Sequence, residues 1–236
     1  MNEYYNRVLD FREELKNYAS NIFKTYGREL VLRLEEYNLL QNKHNCIESS
    51  TAIGFVLEEF LVSKLEMYTH CDESKYIIER FSGSTVSESY DCYCYSDNVK
   101  YLINVKAEKI GKSNNGIAAI QQLQKNYCLE EPEQVKSFIL FKIRYSIKDA
   151  YEDSEYRRAK PRHIYINELS SYCLEEVDLS EDHRQDNRRW SITAENRNNG
   201  RLVISNRFRI EHKVPEEDIS YNNTFNILNN MIRNNN

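Results

Sequence analysis

Several patterns that would assign this chain to a common protein class are absent from its 236 residues. It has no apolar run long enough to span a bilayer and no N-terminal signal-peptide pattern, so we expect a soluble, cytoplasmic protein without a membrane partner. It has no GxSxG motif, and none of its five histidines stands in a recognisable partnership with a nucleophile. A glycine-rich phosphate loop is also missing, so we expect neither a serine or cysteine hydrolase nor a nucleotide cofactor.

The cysteines show no zinc or disulfide pattern. Six cysteines are present, and no two of them form a CxxC pair. His70 beside Cys71 is too little to complete a four-ligand zinc site. Cys92 and Cys94 are separated by one residue in a strand-like run and therefore share a face. We expect buried free thiols in a reducing cytosol.

The overall charge and composition set two further limits. A net charge of −5 argues against a protein whose only role is to coat nucleic acid. An enzyme that acts on nucleic acid is compatible with this charge, because it needs only a local basic groove and its metal-binding carboxylates lower the total. Hydrophobic residues make up 40% of the chain and aromatic residues 12%, which is enough for a substantial core in one large domain.

The spacing of hydrophobic residues changes from a helical to a strand period along the chain. Helical spacing predicts helix over the first forty residues and a second helix from Ser50 and Thr51, which are good N-caps. Two further helices are predicted at 117–129 and 219–233. Strands are predicted at 76–81, 89–95, 99–108, 135–147, 163–169, 190–194 and 201–208. A hairpin turn is predicted at Asp97-Asn98. This order predicts an α/β fold with a central mixed β-sheet flanked by helices.

One group of polar side chains in the predicted hairpin stands out. Asp91 lies on its first strand, and Asn104, Lys106 and Glu108 alternate onto one face of the next strand. Phosphodiester hydrolysis needs carboxylates that hold Mg²⁺, an activated water and a cation near the point of attack. The predicted hairpin brings these groups together, so these four residues are candidate catalytic residues, and Asp91, Asn104 and Glu108 are candidate metal ligands.

The pattern resembles the PD-(D/E)xK nuclease superfamily, in which an Asp on one strand precedes an acidic-x-Lys motif on the next. Asp91 and Lys106 match the Asp and the Lys, and the resemblance covers residues 54–147. The loop Gly111-Lys112-Ser113-Asn114-Asn115 is similar to one in blunt-cutting type II restriction endonucleases of the HincII and HpaI group. The resemblance implies a restriction-endonuclease-like core, Mg²⁺ as cofactor, double-stranded DNA as substrate and a homodimer. It also implies one domain over 1–236, with an N-terminal helical segment at 1–48, a catalytic core at 50–148, and C-terminal strands and a helix at 149–236.

The chain departs from the family motif at Asn104, where the superfamily usually has Asp or Glu. An amide oxygen can coordinate Mg²⁺ but brings no negative charge. Glu108, in phase on the same face, is one candidate for the missing carboxylate. The other is a glutamate on the preceding helix, either Glu58 or Glu59, and the spacing from Gly54 favours Glu58. A third possibility is a protein that binds DNA but cuts it poorly.

Two segments are candidates for DNA contacts. The loop residues Lys112, Ser113, Asn114 and Asn115, with Gln121 on the following helix, have donors and acceptors for phosphates or base edges. The densest basic cluster contains Arg157, Arg158, Lys160 and Arg162. The competing interpretations are a solvated helix face for Gln121 and a charged surface loop for the basic cluster.

Three functions therefore remain open at the level of sequence. The first is a type II restriction endonuclease that cuts at one short sequence, with the N-terminal helices as candidates for the homodimer interface. The second is a structure-specific or repair nuclease of the same superfamily. The third is a DNA-binding protein with a weakened catalytic site.

Overall fold

The chain forms a six-stranded mixed sheet with helices on both faces. The computed structural model describes residues 2–32, 50–71, 74–81, 88–149, 162–179, 185–186 and 201–231. In chain order its strands are β1 (Glu29–Leu32), β2 (Glu79–Arg80), β3 (Cys92–Ser96), β4 (Val99–Lys109), β5 (Gly116–Ala119), β6 (Val135–Asp149), β7 (Arg162–Cys173), β8 (Gln185–Asp186) and β9 (Arg201–Val203). The main sheet has the order β1-β7-β6-β4-β3-β2, in which only β4 and β6 run parallel. The predicted α/β class with a central mixed sheet flanked by helices is confirmed.

A smaller sheet of order β5-β9-β8 lies outside the main sheet's strand order. The helices are α1 (Glu3–Tyr26), α2 (Ser50–His70), α3 (Ile120–Leu123), a π-helix (Gln124–Leu129), α4 (Asn206–Glu211) and α5 (Tyr221–Met231). One apolar cluster joins α1 and α2 to one face of the main sheet. A second cluster joins α3, the π-helix, α5 and β9 to the other face. The small sheet and α2 therefore approach the main sheet from its two sides.

Helix α1 follows the predicted helical period but ends earlier than predicted. Asn2 caps it by accepting a hydrogen bond from the amide of Tyr5 at 3.1 Å. Gly27, with φ of 87°, ends the helix, and the chain continues as β1 rather than as helix. The apolar stripe of α1 lies in the chain's own core, with Phe11 and Leu15 fully buried. That stripe is therefore already covered, and the homodimer stays a prediction.

The β3–β4 hairpin and its turn were predicted correctly, but β3 begins at Cys92 and not at Ser89, so Asp91 precedes the strand. Asp97 and Asn98 have φ of 50° and 63°, the backbone that a two-residue hairpin turn requires and that Asp and Asn adopt most easily after Gly. Cys92 and Cys94 share the buried face, as their spacing predicts. Among the described cysteines all five thiols are free, with Cys71 exposed and the other four buried.

The prediction of a strand at 76–81 was wrong for most of its length. Only Glu79 and Arg80 pair with β3. The amide of Tyr76 donates to the hydroxyl of Tyr18 at 3.2 Å, and the amide of Ile78 donates to the hydroxyl of Thr69 at 3.0 Å. Because side chains of α1 and α2 supply these acceptors, the backbone needs no neighbouring strand there.

The predicted helix at 117–129 was wrong at its start. Gly116–Ala119 form strand β5, which pairs with β9, and the helix begins at Ile120 and widens into the π-helix. Ile117, Ile120, Leu123 and Tyr127 are buried together, as their spacing predicts. Apolar residues alone therefore did not separate a short strand from the helix that follows it.

The C-terminal predictions needed similar corrections. The strand predicted at 201–208 ends at Val203, because Ser205 caps α4 by accepting a hydrogen bond from the amide of Phe208 at 3.0 Å. Its predicted partner at 190–194 lies outside the described residues, and β9 pairs with β8 instead. Strands β6 and β7 are longer than predicted, and α5 confirms the final helix. No helix within the described ranges is long and apolar enough to cross a membrane.

Candidate active site

The site begins where α2 approaches β4. A Cβ on Gly54 would lie 3.6 Å from the Cβ of Ala107, so the helix and the strand are in van der Waals contact. Glu58, one turn further along the same face of α2, reaches the edge of β4. Its Oε1 accepts a hydrogen bond from the amide of Ala107 at 2.7 Å. This hydrogen bond places the Glu58 carboxylate where α2 packs against β4.

Asp91 reaches the same edge of β4 from the segment that precedes β3. It immediately precedes β3, and its amide donates to the carbonyl of Ile103 at 2.8 Å. Its Oδ2 accepts a hydrogen bond from the amide of Val105 at 2.7 Å. The last β3–β4 pair joins Cys92 to Ile103. Beyond it, the amides of Val105 and Ala107 bond to the carboxylates of Asp91 and Glu58.

Glu58 and Asp91 lie close together and are both desolvated. They line one small cavity, which Glu59 and Arg80 also line. Burial raises the pKa of Glu58 and the pKa of Asp91 above their ordinary values of 4.5 and 3.8. The positive charge of Lys106 opposes this change and lowers both pKa values. Lys106 is therefore electrostatically coupled to both carboxylates.

Lys106 stands between the two anchoring amides, since it follows Val105 and precedes Ala107. It lines a larger open cavity of about 490 Å³, together with Glu58. Within the described part of the chain, its ammonium group makes no hydrogen bond or ion pair at contact distance. A desolvated carboxylate pair with a lysine at the wall of an open cavity can bind a divalent cation and stabilise negative charge that develops beside it.

Glu59 lines the same small cavity as Glu58 and Asp91 but is paired with a cation there. Its carboxylate forms an ion pair with the guanidinium of Arg80, on the strand next to β3. Of the two adjacent glutamates, Glu58 is the one that bonds to β4, as the spacing from Gly54 predicts.

Asn104, at the position where the PD-(D/E)xK motif has an acidic residue, is buried and hydrogen-bonded to two neighbouring segments. Its Nδ2 donates to the carbonyl of Ser89 at 2.5 Å and to the carbonyl of Ile117 at 3.3 Å. Because both neighbours are acceptors, the nitrogen of this amide must face them. Its Oδ1 is buried and has no hydrogen-bond partner among the described residues. The side chain therefore holds the segment before β3 against β4 and β5.

We expect Asn104→Asp, which restores the family motif, to destabilise the protein rather than to activate it. A carboxylate cannot donate to the Ser89 and Ile117 carbonyls and would place negative charge against them. The free energy of unfolding should fall by about 1–3 kcal/mol, measured by urea denaturation.

Asn222→Asp, at an exposed position of α5, is the matched control and should change the free energy of unfolding little. Unchanged stability of Asn104→Asp, combined with faster DNA cleavage, would show instead that Asn104 only weakens the site.

Glu108 lies on β4 but is committed to other partners. Its buried carboxylate is 3.3 Å from Nζ of Lys142 and 3.6 Å from Nε of Arg144, both on β6. It also accepts a hydrogen bond from the amide of Asn114 at 3.2 Å. Glu108 therefore anchors the 110–115 loop to the sheet. Of the two glutamates proposed to replace the missing acid, the structure brings Glu58 into the cavity with Asp91.

The loop after β4 forms one wall of the larger cavity. Gly111 has φ of 83°, which favours glycine at this turn. Lys112 and Ser113 are exposed and line the cavity. The side chain of Asn114 donates to the carbonyl of Ala107 at 3.3 Å, and the carbonyl of Asn115 accepts from the amide of Ile204 at 2.9 Å. The predicted loop residues thus lie beside the site, between β4 and the small sheet.

The other predicted DNA contacts do not lie in this cavity or cannot be placed. Gln121 is exposed on α3 and does not line the cavity. Arg157, Arg158 and Lys160 lie outside the described residues, and Arg162 is the first residue of β7.

Arg201 is a site residue that the sequence did not reveal. It is the first residue of β9, lines the cavity with Glu58 and Lys106, and lowers the pKa of Glu58 by its charge. It is distant in sequence from the hairpin, so only the pairing of β9 with β5 brings it there.

The residues present fit a magnesium ion better than a metal that needs several protein ligands. Among the described residues, no three His, Cys, Asp or Glu side chains form a cluster that could hold a metal. Magnesium commonly uses one or two carboxylates, with water and substrate phosphate completing its coordination. Glu58 and Asp91 each use one oxygen for a β4 amide and keep the other, whereas the predicted ligand Asn104 is buried and lines neither cavity.

Comparison with known proteins does not assign the chain to a family. No protein-family model matches it, and a search of curated proteins finds no match.

Proposed function

We propose that this chain is a Mg²⁺-dependent endodeoxyribonuclease with a restriction-endonuclease-like fold, which hydrolyses phosphodiester bonds of double-stranded DNA. The observation that carries the proposal is the edge of β4, where Glu58 and Asp91 hold the amides on either side of Lys106. Glu58 lines both cavities at this edge, Asp91 lines the smaller one and Lys106 the larger one. Two carboxylates and a lysine in this arrangement match the chemistry that the hairpin pattern predicts.

Each residue has a distinct role in the proposed reaction. Glu58 and Asp91 would hold Mg²⁺, which when bound would supply positive charge at the scissile phosphate. Lys106 orients the attacking water and stabilises the negative charge that develops during attack. The backbone hydrogen bonds fix the two carboxylates before substrate arrives, so little reorganisation is needed.

The charge around the cavity suits a nucleic-acid substrate despite the net charge of −5. Lys106, Lys109, Lys112 and Arg201 all line it, against the two carboxylates Glu58 and Glu108. Such a local basic wall can contact the phosphate backbone, and its contribution should weaken as salt concentration rises. The resemblance of the 111–115 loop favours a sequence-specific type II restriction endonuclease that acts as a homodimer.

The experiment that tests this function is incubation of the purified protein with a mixed-sequence plasmid, with Mg²⁺ or with EDTA. Asp91→Ala tests the site, and Glu217→Gln, at an exposed position, is the control. Discrete bands that require Mg²⁺ and disappear in Asp91→Ala would establish a sequence-specific endonuclease.

Two other outcomes identify the alternatives. A smear that requires Mg²⁺ would favour a structure-specific or repair nuclease over a restriction enzyme. Tight DNA binding by the folded protein without cleavage would contradict the nuclease and favour a DNA-binding protein whose site is weakened at Asn104.

A further inference from the structure

The small sheet brings a cationic side chain to the site from outside the main sheet. Strand β5 directly follows the 110–115 loop and pairs antiparallel with β9, whose first residue is Arg201. The register between them shifts between Gly116 and Ala119. Arg201 thereby lines the same cavity as Glu58 and Lys106, with Lys112 and Ser113 also in its lining.

Gly116 makes room for the guanidinium of Arg201. A Cβ added at Gly116 would lie 2.7 Å from both Cζ and Nε of Arg201, and 3.1 Å from Nη2. Real side chains do not approach that closely, so any residue other than glycine would displace the guanidinium. The clash involves only the end of a flexible side chain, so the backbone of β5 could accept alanine while Arg201 moves.

The position of Arg201 suits contact with a phosphodiester. A guanidinium is planar, always charged, and presents paired N–H donors that match two phosphate oxygens. Held against Gly116, it is positioned before substrate binds.

We propose that Arg201 is a catalytic residue that binds the non-bridging oxygens of the phosphodiester being cut, and that Gly116 is the positioning residue that places it. This inference depends on the proposed nuclease function. In the reaction, the oxygen of water bonds to phosphorus, one P–O ester bond breaks, and the leaving oxygen gains a proton. Arg201 neither gives nor takes a proton, but binds the additional negative charge on the non-bridging oxygens.

The test is a double-mutant cycle on Gly116→Ala and Arg201→Ala, with single-turnover cleavage of a DNA duplex as the readout. Arg201→Ala should lower the cleavage rate by about a hundredfold or more. Gly116→Ala should lower it less, with little change in the thermal unfolding midpoint. The double variant should be no slower than Arg201→Ala alone, because Gly116 acts only through Arg201.

Two further measurements separate a chemical from a structural role. Free guanidinium added to Arg201→Ala should restore part of the rate, and Arg201→Lys should retain more activity than Arg201→Ala. Arg28→Ala, at an exposed position, is the matched control and should cleave at the wild-type rate. If Arg201→Ala does not fold, Gly116→Ala and Arg201→Lys carry the test.

The possible failures are distinguishable. Wild-type protein that does not cleave DNA with Mg²⁺ would overturn the proposed function and this inference together. Cleavage by wild type and Arg201→Ala at equal rates would overturn the role of Arg201 and leave the nuclease intact. Additive losses in the double variant would show that Gly116 acts on the fold and does not position Arg201.

Discussion

Asp91→Asn and Glu58→Gln are expected to lower Mg²⁺-dependent cleavage by about a hundredfold or more, while making the metal-free protein more stable at neutral pH. Each amide keeps an oxygen that can accept the β4 hydrogen bond from Val105 or Ala107. Each substitution removes a negative charge that burial disfavours, as the raised pKa values of both carboxyl groups indicate. Loss of activity would therefore not result from loss of the fold.

The pH dependence of this stability gain has a definite sign. A carboxyl group whose pKa is raised by folding binds more protons in the folded state, so it stabilises the fold at low pH and loses this effect as pH rises through the folded pKa. The ordinary values are 3.8 for Asp91 and 4.5 for Glu58, and the gain should appear as pH rises above them. Below them both carboxyl groups are protonated, and the variants and wild type should converge.

The measurement is thermal unfolding in EDTA across this pH range, alongside cleavage with Mg²⁺. Stabilising replacements of this kind commonly contribute about 0.5–2 kcal/mol. Glu217→Gln, at an exposed position, should change neither property. Variants that lose stability at neutral pH would show that the two charges hold the fold together, and the metal-site interpretation would then lose its main physical support.

Lys106→Ala should reduce cleavage by a similar factor of about a hundred or more. Its ammonium is the group that lines the cavity and favours the ionised form of both Glu58 and Asp91. Its removal eliminates the positive charge that stabilises the negative charge developing during attack. It also removes the positive charge that offsets the negative charges of Glu58 and Asp91. The metal-free variant should therefore be less stable than wild type at neutral pH, opposite to Asp91→Asn.

The cleavage rate of Lys106→Ala is compared with that of Lys106→Arg, which retains the charge, and of Lys24→Ala, an exposed control on α1. Lys24→Ala should cleave as wild type does, and Lys106→Arg should fall between wild type and Lys106→Ala. Full activity in Lys106→Ala would remove this lysine from the mechanism.

Local patterns in the sequence were sufficient for much of the fold and part of the site. The β3–β4 hairpin follows from alternation and from Asp97 and Asn98, which tolerate positive φ. Asp91 and Lys106 follow from the hairpin, because its register fixes which residues meet. The preference for Glu58 follows from its spacing from Gly54, because the two residues lie one turn apart on α2 and both lie beside Ala107 of β4. The first two predictions involve one hairpin, and the third involves one face of a helix.

What the sequence did not reveal depends on contacts that no single hairpin or helix face specifies. Glu108 is in phase with Asn104, yet the parallel neighbour β6 places Lys142 and Arg144 beside it. The amide of Asn104 is oriented by the carbonyls of Ser89 and Ile117, which no local pattern specifies. Arg201 reaches the site only through the small sheet. Strand β5 was predicted as helix because its apolar residues are too few to define a period.

The most direct test of the metal centre is a titration of the protein with Mn²⁺, with and without a short DNA duplex. The concentration of free Mn²⁺ is measured by electron paramagnetic resonance. Wild type and Glu217→Gln should remove free Mn²⁺ from solution, and Asp91→Asn and Glu58→Gln should each bind it roughly tenfold or more weakly. Equal Mn²⁺ binding by wild type and both site variants, or no binding by wild type, would contradict a metal centre at Glu58 and Asp91.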